Sequence, residues 1–315
     1  MEIYQLRYFL AVAETGNFTK AAARSFVSQP SLSQQIINLE AELGQKLFHR
    51  LGRKISPTPA GLLLVERARR ILVEVDNTLS ELKDDPQTKH RVMVGAIPTI
   101  APYLLPKVIA RCRMSYRNLE IATYEDFWPY LVESVVEGET DLALVSLPIP
   151  DKRVVVETLF KEPLLLAVGL THPLSQKKDI TPRDLREESF IMLGTSSSVT
   201  AQIQRFCGDH DFTPKIGHKC AQVSTVKTLV ALGLGVAILP AGTFAAADEQ
   251  MLVYREFASG AVTREIALIH HPRRYQSRGT EQFISALRAA LARSPIPLLT
   301  APVGVAVGVA PRVDL

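Results

Sequence analysis

The chain has 315 residues, 47% of them apolar and 22% charged, with a net charge of +4. That length allows two or three domains, and the balance is ordinary for a soluble globular protein. No apolar run reaches the roughly 18–20 residues that cross a bilayer, and Met1–Gln5 lacks the basic-then-apolar start of a secretory signal. A cytoplasmic protein with no membrane partner is expected.

The charge is unevenly placed. Residues 1–58 carry seven bases (Arg7, Lys20, Arg24, Lys46, Arg50, Arg53, Lys54) against four acids (Glu2, Glu14, Glu40, Glu42). A small basic segment on a near-neutral body suggests a nucleic-acid-binding module. Leu6, Phe9, Leu10 and Ala13 mark one face of a first helix, which Gly16-Asn17 ends. Thr19 can cap a short second helix through Ala21-Ala22-Ala23. Phe26-Val27-Ser28-Gln29 reads as a turn, with Ser28 near an N-cap and Pro30 at a helix start. A third helix carries Leu32, Ile36, Leu39 and Leu43 on one stripe and stops at Gly44.

Lys46 to Thr58 then reads as a hairpin with a basic tip and a glycine turn at Gly52. Thr58-Pro59-Ala60-Gly61 opens a long helix. Its repeat of Leu64, Ala68, Ile71, Val75, Leu79 and Leu82 suits pairing with another copy. Asp84–Thr88 is a polar hinge containing Pro86.

Beyond Arg91 short apolar runs alternate with helical stretches. Strands are expected at 92–97, 119–124, 142–146, 164–168, 190–193, 215–220, 236–239 and 266–270. Helices are expected at 103–113, 130–137, 199–209, 223–232 and 280–292. Such alternation implies open, mostly parallel sheets covered by helices, with enough chain for two small α/β lobes. The tail from Pro295 is rich in Pro, Gly, Ala and Val and is expected to be a disordered extension.

The arrangement of helix, helix, tight turn, helix and basic hairpin is that of a winged helix-turn-helix. Such a module lays its third helix in a DNA major groove with its N-terminal residues facing base edges. Ser28, Gln29, Pro30, Ser31, Ser33 and Gln34 suit that position. Glutamine can bond adenine N6/N7 bidentately, serine can donate or accept, and Pro30 offers apolar surface to a thymine methyl. Arg50, Arg53 and Lys54 on the hairpin can reach phosphates or a minor groove. One polar helix start could equally be merely solvated. The basic hairpin and the pairing-type helix that follow argue for DNA.

The run Leu6 to Ala22 resembles the opening of LysR-type transcriptional regulators. So do Ser28-Gln29-Pro30-Ser31-Leu32-Ser33-Gln34-Gln35-Ile36, Leu39-Glu40-Ala41-Glu42-Leu43-Gly44, Leu47-Phe48-His49-Arg50 and Thr58-Pro59-Ala60-Gly61. The resemblance is near-continuous over about 60 residues, and the family's organisation then extends to about residue 293. It implies an α/β protein overall: a winged helix-turn-helix at 1–58, a linker and dimerisation helix with hinge at 59–87, and a two-lobed effector domain like periplasmic binding proteins at 88–293, ahead of the tail at 294–315. It also implies a homodimer or homotetramer on a pseudo-palindromic promoter site, regulated by a small molecule held between the lobes.

Thr99 sits where a strand gives way to a helix, so free N–H groups and the helix dipole there favour an anion. Relatives carry a Ser or Thr at this place in the effector pocket. A second wall is expected near Trp128, where many relatives have a small polar residue; the ring could stack on an effector or fill the pocket. The third wall is the hydroxyl run containing Ser196, Ser197 and Ser198, which could hold a carboxylate or be a plain loop. Gln222 is a fourth candidate. The effector half is most similar to the peroxide-sensing branch of the family, through Ile97-Pro98-Thr99, Tyr103-Leu104-Leu105-Pro106 and Gly233–Ala241. That branch uses two cysteines. Cys207 matches the second, but Ser198 stands where the first belongs, and serine can form neither a sulfenic acid nor a disulfide.

Three other functions can be set against this one: an enzyme, a solute-binding protein and a constitutive regulator. Catalysis has no support: the seven histidines show no metal-ligand spacing, and no GxSxG elbow, GxGxxG or P-loop occurs. Cys112, Cys207 and Cys220 form no CxxC pair, so neither a zinc site nor a disulfide framework is expected; no metal or cofactor is implied. A solute-binding protein would suit the second half alone, and a constitutive regulator would need a pocket closed by side chains such as Trp128.

Overall fold

A computed structural model describes residues 1–51, 54–85, 87–258 and 262–293. The backbone divides into two compact units, Met1–Pro86 with Arg273–Ser277, and Gln87–Pro272 with the chain from Arg278.

In the first unit α1 (Ile3–Thr15), α2 (Phe18–Arg24) and α3 (Gln29–Leu43) pack around Leu6, Phe9, Val12, Leu32, Ile36 and Leu39, all buried. Each helix start has a side-chain device. Glu2 and Gln5 form a capping box on α1, Asn17 accepts from the Thr19 and Lys20 amides, and Ser28 accepts from the Ser31 amide. Gly16 and Gly44 close α1 and α3 in the left-handed conformation. The hairpin β1 (Phe48–Leu51) and β2 (Lys54–Pro57) pairs Phe48 with Pro57 and Leu51 with Lys54. α4 (Pro59–Lys83) follows, capped by Thr58. Its first turn presses on the base of the hairpin: a β-carbon on Gly61 would stand 2.1 Å from the Leu47 carbonyl oxygen. Ala68 and Leu72 face the core, whereas Leu62, Leu63, Ile71, Leu79 and Leu82 are exposed. No helix among the described residues is long and apolar enough to cross a membrane.

The second unit holds one large sheet in the order β10-β6-β11-β5-β3-β4, with β9 also on β6, and a small sheet β7-β8. The strands are β3 (His90–Ala96), β4 (Leu119–Glu125), β5 (Leu142–Ser146), β6 (Val155–Gly169), β7 (Ser189–Leu193), β8 (Lys215–Cys220), β9 (Ala237–Pro240), β10 (Leu252–Arg255) and β11 (Thr263–His270). The helices are α5 (Ala101–Ser115), α6 (Trp128–Glu137), α7 (Ser198–Asp209), α8 (Val223–Ala231) and α9 (Arg278–Arg293). Two separate hydrophobic cores define two lobes. One is built on β3, β5, β11, α5, α6 and α9, the other on β7, β9, β10, α7, α8 and the end of β6.

The expectation of mostly parallel sheets is corrected here. Among the described strands, β3–β4, β3–β5 and β7–β8 pair in parallel, while β5–β11, β6–β11, β6–β9 and β6–β10 are antiparallel. The cause is the pair of long strands that carry the chain between lobes. β6 runs out of one lobe into the other and β11 brings the chain back beside it, which forces opposite directions. The tail from Pro295, the hairpin tip Gly52-Arg53 and Pro86 lie outside the described residues.

Candidate DNA-reading surface and effector pocket

α3 buries Leu32, Ile36 and Leu39 on one side. That choice turns the first turn of the helix outward. Ser28, Gln29, Pro30, Ser31 and Gln34 are exposed and Ser33 is half-buried. Capping occupies part of this set: Ser28 Oγ accepts from the Ser31 N–H at 3.3 Å, leaving its hydroxyl proton to donate. Gln34 Nε2 donates to Asn38 Oδ1 at 3.0 Å. Arg50 and Lys54 lie in β1 and β2, but their side chains, like the whole of Arg53, are outside the described residues.

What fixes the hairpin against α3 is Glu40, which the sequence analysis passed over. Its carboxylate is buried. Oε1 accepts from the Leu47 N–H at 2.9 Å and the Phe48 N–H at 3.4 Å, and Oε2 from Lys46 Nζ at 3.0 Å. Burial alone would raise its pKa; these hydrogen bonds and the Lys46 charge outweigh it and hold the carboxyl below its ordinary value.

Between the lobes lies a cavity of about 20 Å³, room for roughly one water molecule. Its walls are Ile97, Pro98 and Thr99 before α5, Phe127 and Trp128 at the start of α6, Leu193, Gly194 and Ser196–Ser198 before and into α7, and Ala221 and Val223 at the start of α8. Four helix N-termini therefore meet here. None of their cap residues (Ile100, Phe127, Ser197, Gln222) makes a side-chain cap bond. The cavity brings together Thr99, Trp128, Ser196, Ser197 and Ser198. It does not include Gln222, which is exposed at the α8 cap while its two neighbours line the wall. Ser198 Oγ is buried and finds no hydrogen-bond partner among the described residues.

Behind Thr99 sits the most buried ion pair among the described residues. Arg264 and Glu162 face each other directly across β11 and β6, both side chains 0% exposed. Arg264 Nε donates to Glu162 Oε2 at 2.7 Å, Nη1 to Thr99 Oγ1 at 2.8 Å and Nη2 to the Thr99 carbonyl at 3.1 Å. Glu162 also accepts from the Tyr103 hydroxyl at 3.1 Å and from the Gly242 N–H at 2.6 Å. Burial first, and the Glu162 charge second, push the Tyr103 hydroxyl well above its ordinary pKa. One carboxylate thus ties a helix of the first lobe, a turn of the second and both crossing strands, and its arginine orients a pocket wall. Because Thr99 Oγ1 accepts from Arg264, its own proton is left to donate.

The comparisons with known proteins match this two-part geometry. The model of the bacterial regulatory helix-turn-helix protein, lysR family, covers residues 3–62, and the LysR substrate binding domain covers residues 86–292. The chain belongs to the LysR family. It is similar to the DNA-binding transcriptional dual regulator OxyR of Escherichia coli, at 32% identity over 92% of this chain and 95% of that one. It is likewise similar to the regulator BenM of Acinetobacter baylyi, at 34% identity over 77% and 81%. A full-length OxyR variant from Pseudomonas aeruginosa superposes with a TM-score of 0.66 at 28% identity, covering 91% of this chain and 98% of that one. This LysR-type protein is accordingly a DNA-binding transcriptional regulator with an effector-binding domain.

Its thiols are placed against redox work. Cys207 is fully buried, and burial pushes it up to about 11, so it carries little of the thiolate that oxidation requires. Arg264 and Glu162 escaped the sequence analysis, although a signal was present. On β11 the alternation Arg264, Ile266, Leu268 sets the arginine on the buried face, and Glu162, Leu164, Leu166 does the same on β6.

Proposed function

We propose that this regulator binds a pseudo-palindromic promoter site as a homodimer or homotetramer in the cytoplasm, and that a small anionic effector held between the lobes alters how its DNA-reading units are presented. Gln29 would read adenine, Pro30 a thymine methyl, Ser28, Ser31, Ser33 and Gln34 further base edges, and Arg50, Arg53 and Lys54 phosphates. The exposed apolar side chains of α4, with Leu82 80% exposed, support pairing of two copies through the linker helix.

The observation that carries the effector reading is the meeting of four helix N-termini on one cavity. The positive ends of their dipoles favour negative charge. Thr99 and Ser198 add hydroxyl donors, and no side chain lining the cavity is charged. An anion bound there would pull on Thr99 and thereby on Arg264 and Glu162, at the point where both strands cross between lobes. It can shift the lobe arrangement only by its difference in affinity for the two arrangements. With Ser198 in place of a thiol and Cys207 buried, the signal is binding and not oxidation.

The test is thermal unfolding of the full chain with formate, acetate, bicarbonate and benzoate, repeated with Trp128→Ala. Stabilisation by the smaller anions, extended to benzoate in Trp128→Ala, supports the reading. The small volume and the half-buried Trp128 favour a second reading, a constitutive regulator with a closed pocket. Trp128→Ala that gains no ligand response at all selects it.

A further inference from the structure

We propose that Phe26, in the turn before α3, is a DNA-contacting residue that packs on a thymine methyl at the edge of the site read by α3. The inference rests on the DNA-reading surface described above and adds to it a residue that surface did not include.

The starting point is how α2 ends. The Val27 N–H donates back to the Ala22 carbonyl at 3.0 Å and the Phe26 N–H to the Ala23 carbonyl at 3.2 Å. This paired closure requires the residue just past the cap to be left-handed, and Phe26 has φ 55°. Glycine is the usual occupant because it has no β-carbon to crowd the carbonyl. The same chain follows that rule elsewhere, with Gly16 after α1, Gly44 after α3 and Gly138 after α6. Among the described residues one other non-glycine has positive φ, Asp211, and aspartate tolerates it. A phenylalanine here is locally unfavourable.

Packing does not explain the choice. Val27 lies against the core and supplies the apolar contact that such closures use. Phe26 is 96% exposed, the most exposed large apolar side chain among the described residues. The ring therefore contributes to no core and sits on a strained backbone.

Its neighbours say what it faces. Phe26 stands two residues before Ser28, the cap of α3, and is followed by the exposed run Ser28, Gln29, Pro30 and Ser31. It extends that surface by one apolar patch. Pro30 gives that surface one apolar contact for a thymine methyl, the apolar group of the major groove, and the aromatic ring of Phe26 adds a second at the edge of the site.

The experiment uses the full chain and a duplex that it selects from random-sequence DNA. Phe26→Gly should raise the melting temperature of the DNA-binding unit by about 4 °C by relieving the backbone. The same substitution should weaken binding to the selected duplex about five- to tenfold through lost apolar contact. Thymines of the duplex are then replaced one at a time by deoxyuridine, which lacks the methyl. At one thymine the loss seen with the parent should vanish with Phe26→Gly, marking the contact. A variant that melts lower, or one that binds as tightly as the parent, overturns the proposal. So does a deoxyuridine scan that is additive at every position. A parent chain that enriches no sequence overturns the DNA-reading surface itself, which is a separate failure.

Discussion

The two candidate sites are built in opposite ways. The base-reading part of the DNA surface comes from one stretch, Ser28 to Gln34, and its side chains project into solvent from a helix whose other side holds the core. The effector pocket is assembled from four stretches spread between Ile97 and Val223, and its wall is continuous with a buried ionic network. In the first, recognition and stability are carried by different side chains and can be altered separately. In the second, Thr99 belongs both to the pocket wall and to the network that joins the lobes, so a change there is also a change in the lobe junction.

The largest expected effect lies in the network. Arg264→Ala leaves Glu162 buried without its charge partner and should cost the effector unit about 3–5 kcal/mol. Pairing it with Glu162→Leu should cost clearly less than the two single changes added together, because the stranded charge is then gone as well. Urea denaturation of the four proteins measures this, and strict additivity would show that the two residues are not coupled. The corresponding weak point of the first unit is steric. Gly61→Ala drives a β-carbon into the Leu47 carbonyl, and a shift of α4 against the hairpin should cost about 3 kcal/mol. Circular dichroism melting reads the loss, and an unchanged melt would mean that the helix start can slide at no cost.

On the exposed surface the outcome reverses. Gln29→Ala should leave the melting temperature unchanged and reduce discrimination at one base pair by about 1–3 kcal/mol. Arg53→Ala should weaken binding to all sequences alike and lower the salt slope by about one unit. Competition binding at two salt concentrations separates these effects. A Gln29 variant that keeps full discrimination removes that residue from the reading set.

The same contrast explains what could be seen in the sequence. The DNA-reading module follows from local signals: an apolar stripe of period three to four, caps at Ser28 and Thr58, and glycines at helix ends. Thr99, Trp128 and the 196–198 hydroxyls were also visible, because each sits where a strand or loop hands over to a helix. The strand segment 155–163 was missed because charged residues break up its apolar pattern, and the antiparallel crossing was lost with it. Glu40 and Arg264 were missed for a related reason. A buried charge makes sense only through partners in another element: Leu47 with Phe48 across the turn after α3 in one case, and Glu162 with Thr99, far away in sequence, in the other.

The smallest predicted effect is the most discriminating between the two regions. Ser198 Oγ is buried with no hydrogen-bond partner among the described residues, so it contributes nothing to hold the lobe. Removing an unsatisfied hydroxyl is neutral or mildly favourable. Ser198→Ala should therefore keep or gain stability, by about 0.5–1 kcal/mol at most. It should at the same time weaken any anion that stabilises the parent by about fivefold, the worth of one hydrogen bond. That combination would make Ser198 the one pocket residue that behaves like the DNA-reading surface, free of structural duty and available to a ligand. A loss of stability in Ser198→Ala would instead mean that the hydroxyl is part of the lobe's own architecture, and the anion reading would then rest on Thr99 and the helix N-termini alone.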